Sequence, residues 1–294
     1  MIESKVITFI TLAKELNYTK TAEVLSMTQP AVSQQIKSIE NEFSIKLFYH
    51  KGKVLLITEE GKLLLKYCTR LNSLDKTMHI AINDYKTNLV HLDIGLTPST
   101  SEYLVPQILK TINEDQKTNI SIHIHPIKEL YERLDTYEFD FLIGDEIMED
   151  QNEHNYIKIL NDHLVFVAGP TNKFVNKKNI EISELRKEPL VLRHPKSTTR
   201  SQFSSFLVLS NDDISNYNVV LEIESIPIIK DLVGIDYGVS VLPYSVCKKE
   251  IDEGKLKVLD IKNFNIKRST YIIYRKDAEL KSIIVGLANK IKKT

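Results

Sequence analysis

Pro30, Ala31, Ser33, Gln34, Lys37 and Asn41 crowd groups that could read a nucleic-acid surface into one short stretch. At 100° per residue, Pro30, Ser33, Gln34, Lys37 and Asn41 fall on one side of a helix and Val32, Ile36, Ile39 and Phe43 on the other. The polar side carries amides, a hydroxyl and a cation, and no carboxylate. Gln34 can pair with an adenine edge, Pro30 and Ala31 can meet thymine methyls, and Ser33 and Lys37 can hold phosphates, as a major-groove helix must. Taken alone, such a face would be ordinary solvated surface. Its context points to DNA.

Ahead of it, Thr19 to Leu25 reads as a short helix capped by the Thr19 hydroxyl, followed by a tight break at Ser26-Met27-Thr28. The second helix opens at Gln29-Pro30, where a first-turn proline removes an N–H that has no intrahelical partner. Two short helices meeting at such a turn form a helix-turn-helix. After it, Leu47 to Thr58 has the pattern of a hairpin with Lys51, Gly52 and Lys53 at its tip, a wing suited to phosphates or the minor groove. Thr58 can cap the next helix, with Gly61 in its first turn.

That next helix is long. From Lys62 to Ile94 there is no glycine or proline, and Leu64, Tyr67, Leu71, Leu74, Met78, Ala81 and Tyr85 recur in steps of three and four. A 3.5-residue period favours a seam between helices, and so a homodimer. Beyond it, apolar runs at Val90–Ile94, Ile120–Ile124, Phe139–Ile143, Leu164–Ala168, Leu190–Leu192, Val219–Ile223, Val239–Leu242 and Tyr271–Tyr274 alternate with helical patterns. This predicts an α/β fold with a largely parallel sheet.

The chain has 294 residues, too long for one usual core, and balances 39 Lys plus Arg against 39 Asp plus Glu. Residues 1–88 carry 12 basic and 9 acidic groups and residues 89–294 carry 27 and 30, so the balance hides a division between domains. Two cysteines, Cys68 and Cys247, fit neither a disulfide framework nor a zinc module, and they remain either redox-active or merely buried. The first residues lack the apolar core of a signal peptide, and no apolar run is long enough to span a membrane, so a cytoplasmic protein is expected. His123 and His125 share a strand face without a metal-ligand set around them, so no metal is expected. Asp135, Glu138, Asp140, Asp145, Glu146, Glu149, Asp150 and Glu153 read as a solvated acidic face. No P-loop, GxSxG or nucleophile–base pattern is present, which argues against an enzyme and against a cofactor.

Asn17-Tyr18-Thr19, Ala22, Leu25, Thr28-Gln29-Pro30-Ala31-Val32-Ser33, Gln35-Ile36 and Ile39-Glu40, followed by Leu47-Phe48, Thr58 and Gly61, resemble the winged helix-turn-helix of LysR-type transcriptional regulators. His50 stands where that family usually has arginine, and Phe43-Ser44 where it usually has Leu-Gly. Lys53 keeps the cation at the wing tip. The resemblance implies a winged helix-turn-helix over 1–58, a linker and dimerisation helix over 59–88, and an effector domain over 89–294. That domain would be of the type II periplasmic-binding-protein kind, with subdomain I at 90–161 plus 268–294 and subdomain II at 162–267. It implies DNA contacts from Thr19, Thr28, Gln29, Pro30, Ala31, Ser33, Gln34, Lys37, His50 and Lys53. The expected assembly is a homodimer through the linker helix and a homotetramer on an interrupted palindrome of double-stranded DNA, with RNA polymerase as a further partner.

In that family a small effector lies between the two subdomains. Thr97, Ser99 and Thr100 at one helix start, Thr198 and Thr199 at another, and Ser225 at a third would then meet it. Helix starts and hydroxyls favour a small anionic metabolite. Leu192-Arg193 with Ser197-Thr198-Thr199-Arg200 is similar to a segment of the branch that includes sulfur-assimilation and carbon-fixation regulators, although Lys196 and Thr198 replace its glycines. Two other readings stay open. One is a cytoplasmic solute-binding module, and the other is a molybdate-type regulator with a similar N-terminal domain but a β-barrel sensor.

Overall fold

The structure, a computed structural model, describes residues 2–87, 89–112, 118–148 and 153–292. Two compact units emerge, Met1–His91 with Glu132–Phe139 and Leu92–Tyr131 with Asp140–Thr294.

The first unit begins with α1 (Ser4–Glu15), α2 (Tyr18–Val24) and α3 (Gln29–Phe43), then a hairpin of β1 (Phe48–Lys51) and β2 (Val54–Ile57), and then α4 (Glu59–Thr87). The helix boundaries follow local chemistry. Asn17 rather than Thr19 caps α2, its side chain accepting the Lys20 N–H, because Asn17 holds the extended backbone that a cap needs and Thr19 already lies inside the helix. Thr28 caps α3 with Pro30 in its first turn. Ser44 ends α3 at φ +54°, a left-handed conformation for which glycine is the usual residue.

Phe9, Leu12, Ile36, Ile39, Leu47, Phe48, Leu55 and Cys68 form the core of this unit, with Phe48 set edge-on to Phe9. Each such fully buried large side chain contributes about 1.5–3 kcal/mol. Val32, Ile36 and Ile39 turn inward as their spacing predicts, but Phe43, the last residue of that stripe, is 53% exposed. Glycine is required at position 61: a Cβ there would lie 2.5 Å from the Leu47 carbonyl oxygen and 2.7 Å from the Ile57 side chain.

The second unit holds β3 (Val90–Leu96) from residue 92 onward, α5 (Pro98–Ile112), β4 (Thr118–Ile124), most of α6 (Ile127–Asp135), β5 (Phe141–Gly144) and a long β6 (His154–Ala168). There follow β7 (Leu190–Arg193), α7 (Thr198–Leu209), β8 (Val219–Ile223), α8 (Ile226–Gly234), β9 (Ser240–Pro243) and α9 (Tyr244–Asp252). Last come β10 (Lys257–Leu259), β11 (Lys267–Arg275) and α10 (Lys281–Ile291). Seven strands form one sheet in the order β10-β6-β11-β5-β3-β4, with β9 also on β6, and β7 pairs with β8.

The sheet is mixed rather than largely parallel. β3–β5 and β7–β8 are parallel, but β11 runs antiparallel to β5 and β6, and β6 antiparallel to β9 and β10. Every antiparallel pair of this sheet involves β6 or β11, the two long strands that run against one another and against β5, β9 and β10. β6 pairs with β11 through its first half and with β9 and β10 through its second. The expected crossing points, 161/162 and 267/268, fall inside β6 and at the start of β11. Leu164, Phe166, Leu190, Leu192, Phe203 and Val241 belong to one core, and Val165, Val167, Ile229 and Leu242 to another. Alternate residues of β6 thus feed cores on both faces, which is why Leu164–Ala168 is apolar throughout.

Candidate nucleic-acid interface and effector cleft

In the first unit, α3 presents Gln29, Pro30, Gln34, Lys37 and Asn41 to solvent, with Ala31 and Ser33 half-buried. Thr19, on α2, and Thr28, at the start of α3, are exposed as well. The Gln34, Lys37 and Asn41 side chains have no hydrogen bond or ion pair to any described residue, so each keeps its full capacity for a partner. β1 and β2 pair from Phe48↔Ile57 to Lys51↔Val54, which places Gly52, at φ +64°, and Lys53 at the tip. His50, Lys51 and Lys53 are exposed along this wing.

Sequence reasoning missed what sets the wing against α3. Glu40 is only 9% exposed on α3 and accepts the Leu47 N–H at 2.9 Å and the Lys46 ammonium at 2.9 Å. Thr58 then caps α4 by accepting the Gly61 N–H at 2.9 Å while its hydroxyl donates to the Lys46 carbonyl. A carboxylate in the middle of an apolar stripe was the available signal.

Along α4, Leu64 is half-buried on the core, whereas Tyr67, Leu71, Leu74, Met78 and Ile82 are between 43% and 55% exposed and Tyr85 is 89% exposed. The seam expected from the heptad spacing therefore faces outward. Ile2, Val6, Phe43 and Leu64 border the same apolar groove as Tyr67 and Leu71.

In the second unit, two of the three helix starts expected to meet a ligand, those of α5 and α7, come together around an arginine that sequence reasoning did not single out. Arg268, on β11, is 5% exposed and donates to the Ser99 hydroxyl on α5 and the Thr199 hydroxyl on α7, both at 3.4 Å. Its ion-pair partner is Asp145, 6% exposed, just after β5. Burial pulls the Arg268 guanidinium down to about 10, so it stays protonated at neutral pH. Asp145 therefore departs from the expected solvated acidic face, because the chain turns it inward onto a buried cation. Glu149 and Asp150 of that face lie outside the described residues.

Thr97 and Thr100 are buried and bonded to one another and to β5. The Thr100 hydroxyl lies 3.0 Å from the Thr97 carbonyl, 3.1 Å from the Ile143 carbonyl and 3.0 Å from the Thr97 hydroxyl, clamping the start of α5 to β5. Thr198 donates to Glu146 at 3.4 Å. Ser225 begins α8 without a side-chain capping bond. Arg200 is paired with Glu222 at 3.0 Å. Arg193 is 5% exposed, and burial lowers its pKa against the opposing fields of Glu224 and Glu102.

His123 and His125 each face a carboxylate, Asp93 at 3.5 Å and Glu129 at 2.9 Å. Among the described residues no three His, Cys, Asp or Glu side chains gather as a metal site would require. Nor is any helix among them long and apolar enough to cross a membrane.

Comparison with known proteins places both halves. Residues 4–62 match the bacterial regulatory helix-turn-helix protein model of the lysR family, and residues 90–289 match the LysR substrate binding domain. The HTH-type transcriptional activator CmpR of Synechocystis sp. (strain PCC 6803) is 30% identical over 276 residues, covering 92% of this chain and 88% of that one. The regulatory domain of CcmR from Synechocystis PCC6803, solved in complex with 2-PG, superposes with a TM-score of 0.61 at 25% identity, covering 69% of this chain and 96% of that one. Full-length CbnR complexed with its target DNA superposes with a TM-score of 0.67 at 15% identity over 100% of this chain and 99% of that one, a likeness of fold. The α/β sensor removes the β-barrel alternative, and the N-terminal match removes that of a lone solute-binding module. With both its helix-turn-helix and its α/β domain matched over 4–62 and 90–289, the chain belongs to the LysR family of transcriptional regulators, not to the enzymes, and carries an effector-binding domain.

Proposed function

We propose that this regulator acts in the cytoplasm, binds double-stranded DNA at an interrupted palindrome and senses a small anionic metabolite. In this reading 1–58 is the DNA-binding domain, 59–88 the dimerising connector and 89–294 the sensor, with subdomains 90–161 plus 268–294 and 162–267. Gln34 and its neighbours on α3 read base edges, while Thr19, Thr28, Lys37, His50 and Lys53 hold the backbone. The outward apolar stripe of α4 joins two copies, and two such dimers form a tetramer on DNA that engages RNA polymerase.

The observation that carries the anion assignment is Arg268, a buried guanidinium in contact with the starts of two helices at Ser99 and Thr199. Helix starts offer unpaired N–H groups and a favourable dipole to negative charge. In this reading Thr97, Thr100, Thr198 and Ser225 add further hydroxyls. An effector acts only if it binds one arrangement of the assembly better than another.

Footprinting of the DNA beside the gene, with and without 2-PG and other small phosphorylated acids, tests both halves. Protection of two half-sites that shifts with one of these anions is expected. Protection that none of them alters would remove the anion from the proposal, and absence of protection at neighbouring promoters would remove local regulation.

A further inference from the structure

We propose that Asp145 and Glu146 are tethered stand-ins for the effector, and that the effector carries two anionic groups which displace them. This rests on the reading of the cleft as an anion site.

Adjacent in sequence, the two carboxylates occupy two anion-attracting features. Asp145 pairs with Arg268, the cation shared by α5 and α7, and Glu146 accepts from Thr198 in the first turn of α7. Their loop is pinned: the Tyr131 hydroxyl donates to the Glu146 carbonyl at 3.2 Å and accepts the Met148 N–H at 3.4 Å. A pair as buried as Asp145–Arg268 loses in desolvation much of what it gains in attraction, so stability alone is a poor account of it.

The cleft also keeps cationic capacity that its own carboxylates leave unused. Nε of Arg268 is buried without a hydrogen-bond partner among the described residues. A ligand bearing a phosphate supplies more acceptor oxygens and more charge than the carboxylate it replaces. A ligand with one anionic group displaces one carboxylate and leaves the other in place, and each tethered carboxylate competes at the high effective concentration of an intramolecular partner. Two anionic groups on one small ligand overcome this, which defines the class as small metabolites with two anionic groups, at least one of them a phosphate.

Calorimetric titration of the full-length protein with phosphoglycolate, inorganic phosphate and glycolate tests the proposal. The wild type is expected to prefer phosphoglycolate over either fragment. Glu146→Gln and Asp145→Asn should each tighten phosphate binding by about ten-fold, a usual size of coupling between competing ligands. Asp145→Asn should also melt earlier than wild type and recover in millimolar phosphate. Glu146 is exposed, so Glu146→Gln decides the matter if the other variant does not fold. Phosphate affinities equal to or weaker than wild type in Glu146→Gln would overturn the stand-in role while leaving the anion site intact. Heat from none of the three anions, in wild type or variants, would overturn the anion site and the stand-ins with it.

Discussion

The Glu40 carboxylate accepts the Leu47 N–H at 2.9 Å, tying the body of α3 to the first residues of the wing. Leu47 is fully buried, so without this acceptor its N–H would lose a partner away from water. A donor left in that state costs about 1–3 kcal/mol. Glu40→Ala should therefore lower stability by that order and weaken DNA binding on every sequence, while Glu40→Gln, which keeps an acceptor, should lose much less. Denaturant melts and DNA titrations read both effects. An Ala variant as stable and as tightly bound as wild type would show that the wing is set by other contacts.

Gln34 and Lys53 separate base reading from phosphate binding. Gln34→Ala should relax preference at one base position by about 1–3 kcal/mol, with non-specific binding unchanged. Lys53→Ala should weaken binding on all sequences and reduce the slope of log affinity against log salt by about 0.9, the value for one phosphate contact. Identical salt slopes for wild type and Lys53→Ala would defeat the phosphate assignment.

Much of the first unit was legible because its signals are local. Thr28, Pro30 and the break before them mark the start of α3 by side-chain-to-backbone chemistry within four residues, and the stripe Val32, Ile36, Ile39 needs only the helical period. The cap of α2 was misassigned because Asn17 and Thr19 are both good capping residues, and only the extended backbone at Asn17 decides between them. The front half of β6 escaped because Asn155 to His163 lacks a strand's alternation, with Tyr156-Ile157 and Ile159-Leu160 side by side and Asn161-Asp162-His163 polar throughout, and its regularity comes from pairing with β11, far away in sequence. Arg268 escaped for the same reason: nothing near it in sequence announces Asp145, Ser99 or Thr199. The starts of α5 and α7 could be read from sequence, whereas the charge at their meeting point required the fold.

The outward stripe of α4 makes a direct test of self-association. Leu71 and Leu74, each 55% exposed, sit in the middle of that stripe, and in the proposed dimer a charge there would face its own copy across an apolar contact. Leu71→Glu with Leu74→Glu should shift sedimentation from dimer or tetramer toward monomer and abolish tight binding to the two-half-site DNA, with helicity retained. Unchanged sedimentation would place the dimer contact elsewhere.

Cys247 bears on redox sensing. It is fully buried, and burial pushes its thiol up to about 12, while burial also raises Cys68. Reactive cysteines need the opposite shift, since the thiolate is the nucleophile. Relative to an ordinary thiol near 9.0, Cys247 holds about a thousand-fold less thiolate at neutral pH. In the native protein, alkylation of Cys247 by iodoacetamide at pH 7.5 should be at least about a hundred-fold slower than that of free cysteine, and Cys247→Ala should leave DNA binding unaltered by peroxide. Labelling as fast as a free thiol would show that the site opens.

Asp212 predicts how the sensor responds to acid. Its side chain is 6% exposed; burial opposes ionisation, but hydrogen bonds from Asn216, Tyr217 and the Asp213 N–H, with the Arg186 ion pair, prevail and hold the carboxyl well below its ordinary 3.8. A folded-state pKa below the unfolded value contributes stability that is complete above the unfolded pKa and declines as pH falls through the folded one. Wild type should therefore exceed Asp212→Asn in thermal stability at pH 6, and the gap should shrink progressively below about pH 4. Melting curves for the two proteins between pH 6 and pH 2.5 measure it. A gap that stays constant across that range would mean that the partners of Asp212 act through packing and hydrogen bonding that does not depend on its charge.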